Sequence, residues 1–149
     1  MRPLVPILLV LSFAGCADSA KEQQHKEFII LVEQFIQEAR LLSNTGLMSS
    51  GAFQIKSPRL DSLCDTVENK VRILQSETES DLDRRRIAAE MKVVSTVLFT
   101  YAMSKENVRL APSESELKAL IDQAIEVQKD AKTSIDELEK LLEEYKLKH

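Results

Sequence analysis

Apolar residues recur along this chain at alternating spacings of three and four, the period of one helix face, in four separate segments. In the first, predicted over residues 19–43, Phe28, Val32, Phe35, Ala39 and Leu42 form the face. Ile29 and Ile36 add a second stripe, and Ile30 and Leu41 lie nearly opposite the first. A helix apolar over more than half its circumference is expected to be the most buried of the set, or to contact a partner. Residues 44–56 hold Gly46, Gly51 and several Ser, so they read as a long loop, and loops of that length are uncommon without a purpose. Leu47, Met48, Phe53 and Ile55 lie in it. They are expected either to plug an open end of the fold or to touch a partner or lipid.

Ser57-Pro58 reads as an N-cap followed by proline at the first helical position, where a missing N–H costs nothing. The second helix follows, with Leu60, Leu63, Val67, Val71 and Leu74 on one stripe. Residues 76–81 contain no apolar side chain, which predicts a turn with Ser80 as the next cap and Asp81 and Asp83 in the favourable first turn. In the third helix Ile87, Met91, Val94, Leu98 and Tyr101 line the face, widened by Val97, Phe99 and Ala102. Residues 107–112 end it. Ser113-Glu114-Ser115-Glu116 matches a capping box, in which the serine oxygen and the glutamate carboxylate satisfy backbone donors reciprocally. The last helix, residues 114–147, carries Leu117, Leu120, Ala124, Val127, Ala131, Ser134, Leu138, Leu141 and Tyr145 in a heptad seam of the coiled-coil kind. Its small middle residues suit close approach of a neighbouring helix. At about 50 Å this helix is long enough for one end to project as a docking surface.

Four amphipathic segments with mostly short links predict an all-α fold: an antiparallel up-down four-helix bundle with a long C-terminal helix, in one domain over residues 21–149. Sparse glycine, absent tryptophan and abundant Leu, Glu, Lys and Ala agree with it. The formal charge of −4 supplies no basic field for nucleic acid, which is therefore not an expected partner.

Chemistry is sparse. Cys64, beside Leu63 and one turn after Leu60, reads as an inert buried thiol. The spacing of Glu22 and His25 is that of a di-iron bundle motif, but it occurs once where two copies and further core glutamates are needed. There is no Cys-x-x-Cys-His, no His-Glu-x-x-His and no phosphate-binding glycine loop. His25 and His149 are far from Cys64 in sequence, and no Asp or Glu falls on a predicted apolar seam where burial would tune it for catalysis. No catalytic residue, metal ligand or cofactor is assigned, and enzyme activity is not expected. Arg84, Arg85 and Arg86 form the one dense basic run, read as a solvated face with local ion pairs or, alternatively, as a contact for anionic lipid headgroups or an acidic partner.

At the start of the chain, Arg2 is followed by a short apolar stretch from Pro3 to Leu11 and then by Leu11-Ser12-Phe13-Ala14-Gly15-Cys16. This resembles the signal peptide and lipobox of bacterial lipoproteins. The resemblance implies that residues 1–15 are removed, that Cys16 carries the lipid (palmitate among its acyl groups) as the first mature residue, and that residues 16–20 form a short tether. Such a tether spans at most roughly 15 to 20 Å, so the bundle would sit close to the membrane. Ala17, where the family's inner-membrane retention signal has Asp, implies an outer-membrane anchor facing the periplasm if the envelope has two membranes. The plan of lipobox plus small helical bundle is similar to that of the pilotin lipoproteins, a likeness of architecture alone. The expected function is a membrane-anchored, non-catalytic interaction module, an adaptor, assembly or exclusion factor, with an envelope or membrane protein as partner. The alternative is a carrier holding a small apolar ligand where Ala124, Ala131 and Ser134 leave room within the bundle. The sequence leaves the oligomeric state open.

Overall fold

A computed structural model describes residues 14–47, 57–74 and 78–149, with side chains from Ser19 onward. Four helices account for nearly all of these residues: α1 (Ala14–Ser43), α2 (Pro58–Arg72), α3 (Glu79–Arg109) and α4 (Glu114–Lys148). Each start is set by a side chain that accepts a backbone N–H otherwise left without a partner. Ser57 Oγ accepts from the Leu60 amide at 3.3 Å, with Pro58 in the first turn as expected. Ser113 Oγ accepts from the Glu116 amide at 3.4 Å. The expected break before α3 is present, but its cap is Thr78 rather than Ser80. Thr78 Oγ1 accepts from the Asp81 amide at 3.4 Å and donates to Asp81 Oδ2 at 2.8 Å, so helix begins two residues earlier than the serine would place it. α1 also begins earlier, at Ala14, so its backbone runs as helix through the positions expected to form an extended tether. Five helical residues rise about 7.5 Å rather than the 15 to 20 Å of an extended strand.

Side-chain pairings across the helices fix the topology. Glu27 meets Lys70 and Glu38 meets Arg59, which sets α1 and α2 antiparallel. Lys92 meets Glu68, joining α2 to α3. Arg40 reaches Asp136 and Glu139 while Glu33 meets Lys146, so α1 and α4 run in opposite directions. Asp83 meets Lys148 at the start of α3 and end of α4. These exposed pairs add little stability each, but they report register. The result is the expected up-down-up-down bundle, in which each helix packs on its sequence neighbours, α1 closes against α4, and α3 with α4 form the most extensive interface.

Its core is a continuous apolar column. Phe28, Val32, Phe35 and Ala39 of α1, Leu60, Val67 and Val71 of α2, and Ile87, Met91, Val94 and Leu98 of α3 are buried, as their spacing predicts. Cys64 is buried with them. Three departures are informative. Ile30 and Leu41 are exposed, so α1 has a solvated back rather than being wrapped on all sides. Phe99, expected to widen the buried face of α3, is 47% exposed. On α4, Ile135 and Leu142 are buried whereas Ser134 and Leu141 are only half-buried, so the seam turns away from the strict heptad.

Candidate functional site

In an up-down bundle the start of α1, the end of α2, the start of α3 and the end of α4 share one end. That arithmetic brings together His25, Arg84, Tyr145 and His149, residues up to 124 positions apart in sequence. Tyr145 is the centre: its ring is 99% buried and lies 5.4 Å from Phe28 and 4.9 Å from His149, centroid to centroid. Arg84 Nε donates to the Tyr145 hydroxyl at 2.7 Å, and its guanidinium lies 5.4 Å from the centre of the Phe28 ring, a cation–π position that also buries its aliphatic stem. The tyrosine hydroxyl is also in hydrogen-bond contact with His25 Nδ1. The hydroxyl has one proton and can give it to His25 Nδ1 while accepting from Arg84, an arrangement that requires the neutral imidazole tautomer with its proton on Nε2.

The electrostatics agree with this assignment. Burial, then the charges of Arg84 and His149, hold the His25 ring below the ordinary histidine range, against a smaller opposing effect of Asp81. Burial pushes the Tyr145 hydroxyl up, only partly offset by the hydrogen bond from Arg84, so it keeps its proton. Beside them, burial would raise Asp83, but hydrogen bonds from Lys148 at 3.1 Å and His149 at 3.4 Å hold it below the usual carboxylate range. The His149 ring stacks on His25 with 5.7 Å between centroids. This group positions charge and one proton.

Arg84 was expected to share a solvated basic face with Arg85 and Arg86. It is buried, and of the run only Arg85 and Arg86 are exposed. The reason is helical geometry: successive residues point about 100° apart, and Arg84 falls on the face of Ile87 and Met91. Asp81 is likewise buried, correcting the expectation that no carboxylate lies on a seam. Lys105 is buried too, donates to Thr45 Oγ1 at 3.2 Å, and is pushed down by burial. Leu47 is half-buried; Met48, Phe53 and Ile55 lie outside the described residues, as does the side chain of Cys16. Glu22 is bonded to Lys26 at 2.7 Å while His25 is bonded to Tyr145, so the two do not converge on a metal. Among the described residues no cluster of three or more His, Cys, Asp or Glu is arranged to hold a metal ion.

Cys64 sits at the floor of a shallow groove of about 280 Å³ between α2 and α3, lined also by Asp61, Asp65, Glu68, Lys92 and Thr96. Burial, then the carboxylates of Glu68 and Asp65, push its thiol up, away from the reactive thiolate. Labelling of Cys64 by a disulfide reagent at pH 7.5 is accordingly expected to be slow in the native protein and fast in denaturant. Equal rates in the two states would contradict the burial.

Neither family models, nor curated proteins, nor solved structures give a match to this chain.

Proposed function

We propose that the protein is a lipid-anchored envelope protein whose helical bundle works by protein contact, without catalysis, as an adaptor, assembly or exclusion factor. The observation that carries this reading is a stripe on the outer face of α3. Phe99, Met103 and Leu110, spaced four and seven residues apart, lie on the side of the helix away from the core and are 47%, 39% and 60% exposed. Single exposed apolar residues are ordinary, but three aligned on one helix match the face that another helix reads.

The position of the stripe matters. Cys16 and the His25 group lie at one end of the bundle, and Leu110, the C-cap residue of α3 and 26 residues after Arg84, lies about 40 Å away at the other. If Cys16 is acylated, this stripe faces away from the bilayer, which favours a helix of an envelope protein over lipid as its occupant. The carrier alternative has less support. Ala124 and Ala131 have no exposed surface, so no water-sized space touches these two of the three small residues that would line its cavity; Ser134 is half-buried.

Photo-crosslinking residues placed at Phe99 and Met103 in cells test the proposal, with Thr66 on α2 as control. A discrete adduct with another protein is expected from 99 and 103 only, lost when Leu110 is replaced by Glu. Adducts of equal yield from all three positions, or none from any, would reject the stripe as the contact. Mass spectrometry of the membrane fraction tests the anchor separately, through acylation of Cys16.

A further inference from the structure

We propose that the shared hydroxyl of Tyr145 makes His25 an acid-sensitive fastening, which holds the tether-proximal half of α1 to α3 and α4 and lets go when the imidazole gains a proton. The argument rests on the direction of two hydrogen bonds. Arg84 donates to the hydroxyl, and with the imidazole proton on Nε2 the hydroxyl donates to His25 Nδ1, a chain that is complete only while Nδ1 is bare. Protonated at Nδ1, His25 has no lone pair for the tyrosine proton, and two cationic groups then point donors at one oxygen.

The neighbouring charges do not relieve this. From α3, Arg84 opposes a second positive charge, and Asp81 favours it more weakly. After α4, the His149 ring stacks on His25, and Lys148 with His149 already occupies Asp83. On α1 itself Glu22 is taken by Lys26, and on α2 Lys70 is taken by Glu27. With the folded state favouring neutral His25, the unfolded or detached segment binds the extra proton, so the fastening is fully present above the ordinary histidine value near pH 6.5. It weakens as pH falls from there toward the lower value in the folded state. The segment released is the one that follows Cys16, so acid would loosen the bundle from whatever holds its first residues.

The test is a pH titration of the full chain purified in detergent, followed by NMR of the histidine rings and by amide hydrogen exchange. The His25 midpoint is expected below that of a free histidine. Protection of the α1 amides around His25, corrected for intrinsic exchange, is expected to fall between pH 7.5 and 5.5 by severalfold, up to the limit of about tenfold that one group with an ordinary value near 6.5 can deliver in that window. His25→Asn, whose side-chain carbonyl stands where Nδ1 does and accepts the tyrosine proton without titrating, is expected to keep its protection at both pH values. Tyr145→Phe is expected to raise the His25 midpoint. A wild-type midpoint at or above the free value overturns the proposal even if the variants fold poorly, and so does an equal acid response in His25→Asn, which would place the sensitivity outside His25.

Discussion

Tyr145→Ala is expected to lower folding stability by about 3–5 kcal/mol, the range for truncating a large buried aromatic side chain. Three features place it high in that range. The side chain is fully buried, its ring contacts Phe28, His25 and His149, and its hydroxyl is the point where α1 and α3 are tied to α4. The truncation removes the ring and also strands Arg84 Nε in a buried position. Tyr145→Phe separates these effects, since it keeps the ring and loses only the oxygen. Its cost should be about 1–3 kcal/mol, the penalty for leaving a buried polar partner unmatched. Denaturant unfolding at pH 7.5, with an unchanged slope, measures both. A loss below about 1 kcal/mol for the alanine variant would mean that this end of the bundle contributes little to the cooperative unit.

Periodicity made the fold readable because burial on a helix depends on angle, and angle follows from spacing. Every first-rank position of α3, from Ile87 to Tyr101, is buried as its spacing implies. Proline and serine placed the start of α2, and Ser113 placed the start of α4, because capping is a local interaction that neighbours in sequence can satisfy. The His25 group was not visible in the same way. Its members come from the beginning of one helix, the beginning of another and the end of a third, and His25 and His149 each looked isolated in the sequence. Once the topology is fixed as up-down, the shared end of the bundle follows, and a polar residue there with a seam tyrosine was the available signal. Arg84 illustrates the other difficulty. A run of three like residues on a helix is not one surface, since at most one or two of them share a face, and long side chains can bury a stem against an aromatic ring while keeping a polar tip bonded.

The α4 seam supplies a second large prediction, from a mismatch of periods. A straight α-helix has 3.6 residues per turn, so positions repeating every seven residues drift by about 20° per heptad. The row Leu120, Val127, Ser134 and Leu141 is half-buried throughout, while the next row passes from half-buried Ile121 and Gln128 to buried Ile135 and Leu142. Ile135 and Leu142 are each only 1% exposed. A helix supercoiled to hold strict heptads would have kept Ser134 and Leu141 inside. Leu142→Ala is thus expected to cost about 2–5 kcal/mol, and Ile135→Ala a similar amount, because each leaves a cavity in the buried apolar column. Leu141→Ala, from a half-buried site, is expected to cost roughly 1 kcal/mol, mostly its lost transfer energy. Denaturant midpoints of the three variants at equal slope decide the register. If Leu141 proves costlier than Leu142, α4 packs through the heptad seam and the rotation described for it is wrong.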